Sequence, residues 1–261
     1  MKRETIGRIA RRYQGRWLQG YVRSKLRSDP VYGAAFAVLK DSPLPVLDVG
    51  CGIGLFECYV RECGGVMPMA GFDFDEEKIA HAGRGAAHYP GVEFHAADAS
   101  RHAGQRGNVV IFDVLHYLDA AGQADLLTRL AAMIPPGGCC VIRETPNDGS
   151  WRFRVTLTEE WLMGAIRWMK FHARHFPSIE EICAPFRTRG HACEVRPLWG
   201  GTLFNSYLFV FRAPALEPAP GMRQDEDRDE RVNDKAERAG AAEAGEADVV
   251  RPADGAEAGG G

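Results

Sequence analysis

The residues best suited to chemistry open with one short stretch, Asp48-Val49-Gly50-Cys51-Gly52-Ile53-Gly54. Glycines let a backbone turn tightly and let a ligand approach without a Cβ in the way. The spacing is D-x-G-x-G-x-G. A dinucleotide fingerprint, G-x-G-x-x-G, would need glycine at position 55, where the chain has Leu55. A phosphate-binding P-loop would need G-K-[ST], and none follows. Three acids recur further on: Asp73, Asp98 and Asp113, the last followed by His116. An imidazole near its reference pKa can take a hydroxyl proton at pH 7. His81, His88, His95 and His102 have no carboxylate or cysteine pattern of metal type, so no metal is expected.

These residues need elements to hold them. The run 45–50 is short, apolar and ends in glycine, which reads as a buried strand. A helix is expected over 53–63, stopped by Gly64-Gly65. Strands follow at 66–74, 92–97, 109–112 and 139–144, with helices at 75–83 and 120–134. This strand–helix alternation predicts a doubly wound, mostly parallel sheet, with ligands beyond the carboxyl ends of the strands. After 145 the pattern changes to a helix-rich insert reaching 176, a helix at 178–189, and two strands at 193–198 and 203–212 joined as a hairpin.

The glycine spacing and its sequel resemble the class I S-adenosylmethionine (SAM)-dependent methyltransferases over about residues 44–212. Gly71-Phe72-Asp73 closes the second strand, Ala97-Asp98-Ala99 follows the third, and Asp113-Val114-Leu115-His116-Tyr117-Leu118 follows the fourth. Pro136-Gly137-Gly138 precedes the fifth. The resemblance implies a Rossmann-like seven-stranded α/β sheet with an antiparallel closing hairpin. It also implies SAM as methyl donor and S-adenosylhomocysteine (SAH) as product. In that likeness Gly50, Cys51, Gly52, Gly54 and Asp48 face the methionine end, where helix N–H groups suit a carboxylate. Asp73, with Phe74 beside it, serves the ribose hydroxyls. Asp98 and Ala99 serve the adenine, and Asp113 orients the sulfonium or the acceptor.

Methyl transfer from a sulfonium is an in-line displacement whose leaving group is already good. Alignment dominates it, and a base matters only when the acceptor must lose a proton. His116 is the candidate base, with Asp113 beside it. Tyr117, Glu144, Trp151, Trp161, Trp168 and Tyr207 are candidate acceptor-lining residues. No [Asn/Asp]-Pro-Pro-[Tyr/Phe] stretch follows the fourth strand, which argues against a nucleobase or glutamine amine as acceptor. The insert 145–176 is rich in large aromatics and carries Arg167, Lys170 and Arg174 on one stripe. It reads either as a cap buried on the sheet or as a lid over an aromatic or lipid-like substrate.

The chain has 261 residues and a net charge of −3, which hides a strong asymmetry. Residues 1–27 hold nine Lys/Arg and one Glu, whereas 217–261 hold thirteen Asp/Glu and six Lys/Arg. The acidic end has no aromatic residue, cannot offset its ordering entropy by burial, and reads as a disordered tail. In 1–43, Tyr13, Trp17 and Tyr21 recur at helical spacing among arginines, which predicts a basic amphipathic helix. That helix packs on the catalytic domain or meets nucleic acid, an acidic carrier or a membrane surface. No apolar run reaches the length of a membrane span, and no secretory signal is expected. Seven cysteines without a C-x-x-C pair fit a reduced, cytoplasmic setting. The expectation is therefore a methyltransferase domain over 44–216. Its acceptor is a small apolar or aromatic metabolite, free or bound to an acyl carrier of polyketide or aryl-polyene type, methylated at oxygen. The alternatives are an RNA or protein methyltransferase, or a SAM-binding regulator without catalysis.

Overall fold

The computed structural model describes residues 1–97, 106–165 and 173–215, with the side chains of 159–165 excepted. Residues 1–215 form one compact unit. Three helices open the chain: α1 (Arg3–Arg11), α2 (Arg16–Ser28) and α3 (Val31–Leu39). Then come β1 (Val46–Val49), α4 (Leu55–Glu62), β2 (Met69–Asp73), α5 (Glu76–Ala86) and β3 (Val92–Ala96). After these lie β4 (Asn108–Phe112), a short 3₁₀ turn (Leu115–Tyr117), α6 (Ala120–Met133) and β5 (Cys139–Glu144). The rest is α7 (Trp151–Ala165), α8 (Ile179–Arg187), β6 (Ala192–Pro197) and β7 (Tyr207–Arg212).

The seven strands make one sheet in the order β3-β2-β1-β4-β5-β7-β6. The first five are parallel, and β7 runs antiparallel to both β5 and β6. The chain order reverses between β1 and β4, so their carboxyl ends open a crevice. Side chains alternate across the sheet with period two. Val46, Val110, Val141, Leu208 and Val210 face a core shared with α1–α4. Leu47, Val49, Val109, Ile111, Ile142, Phe209 and Phe211 face the opposite core under α6 and α8. Helix starts follow local chemistry. Asp75 caps α5 through the Glu77 and Lys78 amides, Asp119 caps α6 through Gly122, and Ser178 with Glu181 forms a capping box on α8.

The basic N-terminus departs from the single helix expected of it. Gly15, at φ 86°, separates α1 from α2, because only glycine takes that conformation without a Cβ penalty. Tyr13 therefore leaves the stripe and becomes a buried anchor whose hydroxyl donates to the Ile53 carbonyl at 2.9 Å. Trp17 and Tyr21 stay together on α2, stacked at 6.0 Å and exposed. Ile6, Ile9, Ala10, Leu18, Val22 and Leu26 turn their apolar face into the core. Arg8 pairs with Glu62 at 2.6 Å, so part of the basic charge is spent within the fold. Among the described residues, no helix is long and apolar enough to cross a membrane. The acidic segment 217–261 lies outside the described residues.

Candidate active site

The glycine stretch forms the turn from β1 into α4, and three of its glycines have positive φ: Gly50 at 77°, Gly52 at 57° and Gly54 at 74°. Two are also squeezed. A Cβ on Gly50 would stand 2.3 Å from Val114 Cγ2, and one on Gly54 would stand 2.7 Å from Phe94 Cζ. Gly52 differs, with open space where a Cβ would be. The loop thus packs its outer glycines against β3 and the β4 turn, and keeps Gly52 clear on the side of the crevice.

The crevice holds a cavity of about 330 Å³. Asp48, Gly50, Cys51, Gly52, Asp73, Phe74, Ala97 and Asp113 all line it. Asp73, at the end of β2, is 6% exposed and accepts from the Gly52 amide at 3.0 Å and the Asp75 amide at 2.9 Å. A carboxylate has about four lone-pair sites. Two remain toward the cavity, which suits a pair of ribose hydroxyls. Beneath the loop, Asp48 is buried against Glu57 of α4. Burial and the Glu57 charge hold the Asp48 carboxyl well above the usual carboxylate range, and burial pushes Glu57 up to about 7. Asp48 Oδ1 has no hydrogen-bond partner. The open space at Gly52 and the acceptor positions that Asp73 has left on the cavity wall fit SAM.

The other end of the cavity is built by parts far apart in the chain. Tyr21 and Lys25 of α2, Tyr32 of α3, Phe112 and Asp113 of β4 and its turn, Tyr117 and Arg143 line it. Arg143, the one basic residue of β5, pairs with Asp113 and, at 3.1 Å, with Asp29. Lys25 pairs with Asp29 at 2.9 Å. Four charges thus alternate from α2 to the end of β4. Asp113 is a non-glycine residue at φ 55°, a conformation costing about 1–3 kcal/mol that clusters at functional sites. Desolvation raises the Asp113 pKa, and the Arg143 and Lys25 charges oppose that rise without cancelling it.

Several expected site residues lie elsewhere. His116 is 5% exposed, its Nδ1 sits 2.7 Å from Glu144 Oε1, and it stacks on Phe176. Neither His116 nor Glu144 reaches the cavity wall, because the 3₁₀ turn aims His116 inward and Tyr117 outward. Trp151 is exposed on α7 and packs on Arg152. Tyr207 donates to Asp148 at 3.2 Å, away from the cavity. Asp98, Ala99 and Trp168, and the side chain of Trp161, lie outside the described residues. Glu57, Lys25, Asp29, Tyr32 and Arg143 were missed from sequence. The readable signal was Arg143, a cation inside the otherwise apolar run Cys139-Cys140-Val141-Ile142. Among the described residues no group of three or more His, Cys, Asp or Glu could hold a metal.

A family model described as a methyltransferase domain matches residues 19–194. No curated protein sequence matches the chain. Solved structures similar in fold include an O-methyltransferase family protein from Burkholderia thailandensis, with TM-score 0.58 and 16% identity. That likeness covers 75% of this chain and 57% of the Burkholderia chain, so this chain spans little more than half of it. Magnesium protoporphyrin IX methyltransferase from Synechocystis PCC 6803, solved with bound SAH, has TM-score 0.56 and 18% identity over 81% of this chain and 97% of its own. The N-methyltransferase NodS from Bradyrhizobium japonicum WM9, also with SAH, has TM-score 0.54 and 17% identity over 73% and 91%. The matched domain, the strand order and the glycine-lined crevice make one case: this chain belongs to the methyltransferase-domain family, the class I SAM-dependent methyltransferases.

Proposed function

We propose that the protein methylates a small, largely apolar or aromatic metabolite at oxygen, in the cytoplasm, the acceptor being free or held on an acyl carrier. The observation that carries this reading is the composition of the cavity wall, which Tyr21, Tyr32, Phe112 and Tyr117 share with Asp113. Aromatic walls with a few convergent polar groups are what small-molecule sites look like. A polymer would need an open, basic groove instead.

SAM supplies an electrophilic methyl group on a sulfonium. The chain's own residues do the rest. Asp73 accepts from the ribose hydroxyls, and the loop amides hold the amino acid end, with Asp48 packed beneath them. The tyrosines and Phe112 exclude water and align the acceptor, a contribution worth up to about 7–11 kcal/mol of barrier. Asp113 receives the proton of an acceptor hydroxyl. Its raised pKa brings it toward neutrality, where a base works best. Arg143 holds Asp113 in place. His116, buried on Glu144, positions the turn that presents Tyr117 rather than acting as the base.

The test is methyl transfer from labelled SAM into an extract of the cells that make the protein, split into small-molecule, RNA and protein fractions. Label in the organic-soluble small-molecule fraction is expected. Label in RNA or protein overturns the reading and makes the basic N-terminus a substrate clamp. SAH binding without label in any fraction favours the regulator. Asp113→Asn should then slow turnover on the identified acceptor about 10²-fold or more while leaving SAH affinity within a few-fold.

A further inference from the structure

Away from the cavity, two thiols meet across elements that the active site does not use. Cys183 lies in α8, and Cys193 lies in β6 at the edge of the sheet. Their Sγ atoms are 3.2 Å apart. Neither lines the cavity. The two differ in access: Cys183 is fully buried and Cys193 is half-buried. The other five cysteines offer no such pairing. Cys58, Cys139 and Cys140 are buried in the core, Cys51 is in the glycine loop, and Cys63 is exposed at the end of α4.

We propose that Cys183 and Cys193 are an oxidisable dithiol that closes to a disulfide under oxidising conditions, a modification site tying the edge strand β6 to α8. A disulfide needs its sulfurs about 2.05 Å apart, so the pair must approach by roughly 1 Å, within reach of side-chain rotation. The two residues are separated by a short turn, 188–191, and the segment is already well held. Phe186 of α8 stacks on Phe211 of β7 at 3.7 Å, and His191 packs on Phe186. Edge strand β6 is hydrogen-bonded on one side only, to β7, and the covalent tie would fix its α8-facing side to the helix.

The order of events follows from access, because thiolate character and exposure govern exchange. A low-molecular-weight disulfide such as oxidised glutathione is the oxidant. The Cys193 thiolate attacks one of its sulfurs, that S–S bond breaks, and one glutathione thiolate leaves. Cys183 then loses its proton to solvent, its sulfur attacks Cys193 Sγ, and the second glutathione leaves. Two protein thiols are oxidised and one glutathione disulfide is reduced to two glutathione thiols. Burial pushes the Cys183 thiol up to about 12, which makes it the slow, resolving partner.

The experiment titrates the full chain with oxidised glutathione, blocks remaining thiols with an alkylating reagent, and reads intact mass and non-reduced tryptic peptides. The expected result is loss of two of the seven thiols. The peptide 175–187 should appear joined to 190–212, and dithiothreitol should part them. In Cys183→Ser, glutathione should instead remain on Cys193. A stable glutathione adduct on Cys193 of the unsubstituted chain, a bridge between other cysteines, or seven intact thiols would each overturn the proposal. The melting temperature of Cys183→Ser, read under reducing conditions, guards against a result caused by unfolding.

Discussion

Replacing Asp73 tests the cofactor end of the cavity. In the free protein its carboxylate accepts from two amides, Gly52 and Asp75. The two remaining lone-pair sites are assigned to the ribose hydroxyls. A hydrogen bond to a charged group contributes about 1.5–3 kcal/mol. Losing two of them in Asp73→Ala should weaken SAH binding by about 3–6 kcal/mol, or roughly 10²–10⁴-fold. The same change leaves the Gly52 amide without its acceptor and costs the free protein about 1–3 kcal/mol more. Asp73→Asn keeps one carbonyl acceptor and one steric outline, so its loss should be intermediate. Isothermal titration with SAH and a melting curve on each variant separate binding from folding. An SAH affinity for Asp73→Ala within about threefold of the unsubstituted chain, on a folded protein, would refute the ribose assignment.

Other perturbations probe the frame. Gly54→Ala places a Cβ against Phe94 in a left-handed conformation, and should destabilise the fold by about 1–3 kcal/mol in denaturant titrations. Arg143→Met strands Asp113, while Asp29 keeps Lys25 at 2.9 Å and the Val31 amide. It should cost about 3 kcal/mol, largely recovered when Asp113 also becomes Asn. Two groups should respond to pH with opposite signs. Burial raises the Asp29 pKa but Arg143 and Lys25 outweigh it, so its folded value is lowered. Its contribution is therefore present above the unfolded value near 4 and lost as pH falls below it, and Asp29→Asn should remove that acid loss. Glu57 is raised to about 7, so between its unfolded value and about 7 the unfolded chain sheds protons first and stability falls as pH rises. Glu57→Gln should flatten that decline, measured as the denaturant midpoint from pH 4.5 to 8.

The alternation of strands and helices was legible because each element announces itself within its own few residues. The run Val46–Val49, the glycine turn and the capping acids Asp75 and Asp119 are local signals, and they put Asp48 and Asp73 at strand ends. The closing hairpin was readable for the same reason. What the amino-acid order could not reveal is what meets across the sheet. His116 was expected as the base; the turn buries its ring against Glu144 while Tyr117 lines the crevice, because one residue along a 3₁₀ turn is about a third of a turn. A single glycine, Gly15, cut the aromatic stripe so that Tyr13 went inward and Tyr21 went to the cavity. Lys25, Asp29, Asp113 and Arg143 are scattered along the chain and show no common spacing. They become one chain of charges because the order β1-β4-β5 brings α2 over the carboxyl ends of the central strands. Local periodicity and turn chemistry determined the elements and the cofactor loop. Long-range packing, which desolvates charges only where partners from distant segments arrive together, decided the charged and aromatic end of the cavity.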